Sequence, residues 1–80
     1  MTRRRVVVDS TSLASVMFSP EHNVLEVAFR NGLVYEYFGV PLSLYEQLLA
    51  AQSKGAFMHR FIRTRFPYRR IDRPAPKLTQ

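Results

Sequence analysis

Two tyrosines flank a glutamate at Tyr35-Glu36-Tyr37, and His59, Arg60, Arg63, Arg65, Arg69 and Arg70 follow one another at short intervals with Tyr68 among them. Phenol rings can stack on nucleotide bases for about 1–3 kcal/mol per base. Guanidiniums carry planar forks of N–H donors that suit phosphates and also stack on bases. Together these residues could form a phosphate track with an aromatic platform beside it. Phosphate contacts need only positive donors along a surface, so the pattern is sensitive but unspecific. The competing account is a pair of core tyrosines and a solvated basic face. Ser53-Lys54-Gly55 adds a second anion feature, because backbone amides at a helix start, aided by Lys54, can hold an anion. The same serine can serve simply as an N-cap.

Catalytic chemistry has little to work with. The chain holds no cysteine, which removes disulfides, thiolate metal sites and a Cys nucleophile. Its two histidines, His22 and His59, have no acidic neighbours at metal-ligand spacing. No hydroxyl has an evident base and orienting partner. The expectation is a protein that is not an enzyme, with no cofactor and no metal.

Charge is the most informative bulk property. Twelve Lys and Arg stand against six Asp and Glu, for a net charge of +6. Residues 6–53 hold Arg30 against Asp9, Glu21, Glu26, Glu36 and Glu46, whereas residues 54–80 hold eight cations against Asp72. Such a polarised field attracts polyanions at long range. No apolar run approaches the roughly 18 residues of a membrane span. The start, MTRRRVVVDST, is basic but lacks a signal-peptide apolar region. The expectation is a soluble, cytoplasmic protein without a membrane partner.

These residues need elements to position them. An 80-residue chain makes one small domain. Val6–Val8 has the propensity for a short edge strand, and a strand is expected near Ala14–Phe18. Ser10, Thr11 and Ser12 read as turn or capping residues, and Ser19–Asn23 as a turn. The segment VLEVAFR alternates Leu25, Val27 and Phe29 with Glu26, Ala28 and Arg30, the pattern of a half-buried strand. Asn31-Gly32 then signals a hairpin, with LVYEYF as the partner strand. A two-residue loop would pair Val27 with Glu36 and turn that carboxylate into the core. A three-residue loop, Arg30-Asn31-Gly32 with Gly32 left-handed, pairs Phe29 with Leu33, Val27 with Tyr35 and Leu25 with Tyr37. A one-residue slip exchanges the faces. Burying an unpaired carboxylate costs far more than the difference between two common turns, so the longer loop is preferred. Both tyrosines then line the core with hydroxyls near its edge, and partial exposure would still allow stacking. Glu26 and Glu36 become outer-face neighbours with a modest repulsion.

Pro41 suits a first helical turn. Leu44, Tyr45, Leu48 and Leu49 form an amphipathic stripe behind it. Gly55 is expected to end or interrupt this helix, with Ser53 capping a second one. On that second helix Phe57, Met58, Phe61 and Ile62 share one face, and His59, Arg60 and Arg63 lie opposite, with an end near Thr64. The Pro-containing stretch 72–80 is expected to be disordered, and residues 1–9 to be a basic arm. The predicted class is α+β: a three-stranded antiparallel meander, with a fourth N-terminal edge strand left open, then two helices on one face.

The order LEVAF, NG, YEYFGVP, helix, SKG and an IR helix ending in FPYRRI resembles the KTSC domain, across roughly residues 10–71. Tyr35-Glu36-Tyr37 matches the family's Tyr-x-Tyr. The pattern often has tyrosine where Phe18 and Phe66 stand, and asparagine where His59 stands, so two aromatic hydroxyls are lost here. The family occurs at the C-terminus of some lysyl-tRNA synthetases and as a stand-alone bacterial protein, and that company implies RNA binding. The resemblance supplies no catalytic residues.

Two functions follow. The first is a nucleic-acid-binding module for RNA or another polyanion, using Arg60, Arg63, Arg65, Arg69 and Arg70 on phosphates, Tyr35, Tyr37 or Tyr68 on bases, and His59 and Lys54 as further donors. The second is a protein-interaction module that uses the helix pair or an exposed sheet edge, as an accessory domain or a homodimer; the chain is expected to be a monomer or a weak homodimer.

Overall fold

The computed structural model describes residues 5–71. The expected tail 72–80 lies outside the described residues, as do Arg3 and Arg4.

Five strands form one antiparallel sheet in chain order: β1 (Arg5–Val7), β2 (Leu13–Ser19), β3 (Val24–Phe29), β4 (Val34–Phe38) and β5 (Tyr68–Ile71). The hairpin between β3 and β4 has the longer loop. Leu25 faces Tyr37, Val27 faces Tyr35 and Glu26 faces Glu36. The Phe29 amide donates to the Leu33 carbonyl at 2.8 Å, and Gly32 sits at φ +93°, where a side chain would be strained.

This register sorts the sheet into two faces. Val16, Val27, Phe18, Leu25 and Tyr37 point inward and are buried. A row on the outer face crosses all five strands: Arg5, Met17, Glu26, Glu36 and Arg69. Arg5 meets Glu26 at 2.6 Å and Arg69 meets Glu36 at 2.8 Å. The expected repulsion between the two glutamates is therefore offset, because the outermost strands each bring a guanidinium to the row. Arg5 also donates to Ser15 at 2.8 Å, and Glu26 is buried beneath it.

The fifth strand corrects the sequence reading, which counted three or four. Its residues YRRI show no apolar alternation, and a charged edge strand is hard to tell from a basic tail. Pairing supplies what pattern lacks: Tyr68 registers with Tyr37, Arg69 with Glu36 and Arg70 with Tyr35.

The helices cover the inner face. Helix α1 (Leu42–Ala50) follows Pro41, which is extended at its N-cap, and buries Tyr45 and Leu48. The Tyr45 ring stacks on Phe18 at 4.9 Å and 11°. Helix α2 (Lys54–Phe57) runs directly into a π-helical turn, Met58–Ile62. Ser53 caps it, its hydroxyl accepting from the Ala56 amide at 3.3 Å. The expected role of Gly55 is corrected here. Helix α1 already ends at Ala50, and Gly55 lies inside α2 against the Ser12 side chain. A Cβ at Gly55 would stand 2.9 Å from Ser12 Oγ and 3.2 Å from Ser12 Cβ. Close approach, not chain termination, requires the glycine.

Candidate nucleic-acid interface

The tyrosines gather where β4 meets β5. Both Tyr35 and Tyr37 point to the inner face of β4, and the pairing of Tyr37 with Tyr68 brings the third ring beside them. The Tyr35 and Tyr68 centroids are 5.5 Å apart at 90°, and those of Tyr37 and Tyr68 are 5.7 Å apart at 40°. Phe29 extends the cluster, edge-on to Tyr35 at 5.7 Å. Such ring pairs contribute about 0.5–1.5 kcal/mol each beyond the area they bury. Exposure is graded across the cluster: Tyr37 is 2% exposed, Tyr35 half-buried and Tyr68 59% exposed. Core and surface roles are thus divided among neighbouring rings.

The second helix supplies the opposite wall. In its π turn the Arg63 amide donates to the Met58 carbonyl at 2.8 Å, a span of five residues. Turns of this kind are frequent at functional sites. Met58 and Ile62 are buried under the turn, while His59, Arg63 and Thr64 stand over the tyrosines. The six residues Tyr35, Tyr37, His59, Arg63, Thr64 and Tyr68 enclose a cavity of about 130 Å³. Burial pushes the Tyr37 phenol up to about 12, with the Arg63 cation opposing the shift. Near neutral pH the group is therefore a phenol, able both to donate and to accept.

Five of the sequence-predicted residues come together in this cavity: Tyr35, Tyr37, His59, Arg63 and Tyr68. Arg60 and Arg65 lie just outside it, with guanidiniums 5.8 and 5.9 Å from the centre of the Phe61 ring. That cation–π contact holds both over one aromatic plane. Arg70 shares the inner sheet face with Tyr35 and is exposed. Two predicted residues sit elsewhere. Lys54 Nζ donates to the Ala51 carbonyl at 3.1 Å and ties the two helices together. Arg69 projects from the outer face to Glu36. Thr64 was missed, since the sequence reading used it only to mark a helix end. Its place between Arg63 and Arg65 was the available signal. Among the described residues no group of three or more His, Asp or Glu gathers as a metal site, and no helix is long and apolar enough to cross a membrane.

The fold and cavity define a small α+β module with an aromatic, cationic recess at one end of its sheet. The chain belongs to the KTSC domain family, whose model matches residues 9–66. A lysine–tRNA ligase of Nostoc sp. is 35% identical over 64 residues, 80% of this chain. The chain spans only 11% of that ligase. An uncharacterized protein of Stutzerimonas stutzeri is 37% identical over 70 residues, covering 86% of this chain and 99% of its own length. The crystal structure of a KTSC domain protein from Yersinia pestis superposes with a TM-score of 0.83 at 33% identity, covering 89% of this chain and all of that one.

Proposed function

We propose that this domain is a non-catalytic module that binds single-stranded RNA. The observation that carries the reading is the convergence of three tyrosines with His59 and Arg63 on one small cavity. At about 130 Å³ the cavity is below the roughly 300–1,000 Å³ of sites that engulf a whole small molecule. It suits one planar ring, with Tyr68 as the exposed stacking surface and Tyr37 as a buried hydrogen-bonding floor. Arg63 meets a phosphate at the rim, and Arg60, Arg65 and Arg70 extend the positive surface outward. Relatives that join lysine to tRNA carry a segment similar to this chain, which agrees with an RNA ligand. Recognition is by charge and stacking, because splayed single-stranded bases can be held on aromatic faces without a sequence code.

Filter retention of a short single-stranded RNA at increasing salt tests the reading. Neutralising about four phosphates predicts a log–log slope near −3. The Arg60→Glu, Arg63→Glu double variant abolishes retention while the far-UV spectrum stays native. A slope near zero, or full retention by the double variant, overturns the proposal.

A further inference from the structure

A second cavity adjoins the first. It measures about 330 Å³ and lies between the turn before β2, the β3–β4 hairpin and the start of α2. Thr11, Ser12, Arg30 and Asn31 form its polar wall. Arg63 lines both cavities. Phe29 in the second wall meets Tyr35 in the first, edge-on with centroids 5.7 Å apart, so the two walls also touch through these rings. Among the described residues no carboxylate lines either one.

The polar wall is fixed by hydrogen bonds of its own. Ser10 Oγ accepts from the amides of Ser12 and Leu13 at 3.1 and 3.2 Å, which sets the turn. Across the gap, the Arg30 amide donates to the Ser12 carbonyl at 2.9 Å and its Nε to the Ser10 carbonyl at 2.5 Å. Asn31 Oδ1 accepts from the Leu33 amide at 3.0 Å, which leaves its NH₂ as a donor. A ligand here meets two hydroxyls, an amide and two guanidiniums, and of these the Asn31 amide and the Arg30 guanidinium are held by hydrogen bonds to the backbone. Preorganised donors lower the ordering cost of binding.

We propose that the two cavities form one groove for two consecutive nucleotides of an RNA strand, with the phosphate between them at Arg63. One base lies against the tyrosines. The other nucleotide occupies the Thr11–Asn31 cavity, whose hydroxyls and amide suit a ribose 2′-hydroxyl or a base edge. The inference rests on the RNA reading above and adds a second subsite to it. An anion flanked on both sides by polar, planar groups is what a shared arginine between two recesses would select.

An amide-shift titration with uridine monophosphate, the dinucleotide UpU and an acidic peptide decides it. The mononucleotide shifts residues around the tyrosine cavity. The dinucleotide shifts both cavities along one saturation curve and binds about tenfold tighter, the gain of a second held base. Arg30→Glu returns the dinucleotide to the mononucleotide's affinity and leaves the mononucleotide within about twofold, since the altered site is not its own. Thr11→Glu gives the same result while keeping the Arg30–Ser10 bond, so loosening of the turn is not the cause. A dinucleotide that binds no tighter than the mononucleotide, with both variants silent, overturns the two-nucleotide groove and leaves the RNA reading intact. No shift with either nucleotide overturns both. Saturable shifts with the acidic peptide alone overturn both as well and assign the groove to a protein strand.

Discussion

The Tyr37 ring is 2% exposed and touches the rings of Tyr35 and Tyr68 while forming part of the cavity wall. Its phenol is pushed up to about 12, first by burial, with Arg63 lowering and the two neighbouring phenols raising the value. The folded protein thus holds this proton more tightly than the unfolded chain. Its contribution is fully present below pH about 10 and is lost as the pH rises to about 12, by up to about 2–3 kcal/mol. Urea midpoints measured from neutral pH into this alkaline window should fall, and Tyr37→Phe should flatten the part of the fall due to this group. An unchanged slope would mean that Tyr37 ionises freely in the folded state. Tyr37→Ala is a harsher test. Loss of a buried aromatic ring costs about 3–5 kcal/mol, comparable with the roughly 3–5 kcal/mol available to a core of this size. Circular dichroism should show that variant largely unfolded. The exposed Tyr68→Ala should stay folded and lose RNA affinity.

At the scale of elements, sequence was most informative where burial decides between discrete options. The β3–β4 register could be read because Glu36 and Tyr35 are adjacent, and one choice of loop buries the wrong one. Strand β5 could not, because Arg69 and Arg70 are explained only by partners distant in the chain, Glu36 and the Tyr35 side of the sheet. The balanced outer row was hidden for the same reason, since Arg5 finds Glu26 across β2. Arg5→Ala should cost about 1–3 kcal/mol, because a buried carboxylate loses a charged partner, whereas Arg69→Ala at the exposed pair should cost less than about 1 kcal/mol. Equal losses in chemical denaturation would contradict the assigned burial. Gly55 sets two effects against each other. Alanine favours a helix over glycine by up to about 1 kcal/mol, but its Cβ would press on Ser12. Rotation of the hydroxyl relieves the 2.9 Å contact and leaves the one to Ser12 Cβ at 3.2 Å. Overpacking costs about 1–3 kcal/mol, so Gly55→Ala should be destabilising, and Ser12→Gly in the same chain should recover most of the loss. A stabilised Gly55→Ala would show that the turn before β2 yields freely.

Across the whole molecule, charge is divided between the two faces of one sheet. The outer face pairs its cations with carboxylates, Arg5 with Glu26 and Arg69 with Glu36. The helix-bearing side carries Arg63 into the cavities and sets Arg60 and Arg65 over Phe61. A chain-wide count cannot separate these populations, and in the sequence Arg69 looks equivalent to Arg63. The pairing makes them different. A guanidinium held against a carboxylate releases little counterion on meeting RNA, because its charge is already balanced. One in a cavity that no carboxylate lines among the described residues contributes fully to the salt-dependent term. Arg63→Ala should therefore weaken binding to single-stranded RNA and reduce the magnitude of the salt slope by about 0.7. Arg69→Ala should leave the slope unchanged, and by freeing Glu36 on the far face it should alter affinity by less than about twofold at a Debye length of about 8 Å. Measured side by side over a range of salt, the two variants locate the binding face. Equal slope changes would mean that RNA reaches both sides of the sheet, and a change in Arg69→Ala alone would move the interface to the outer row.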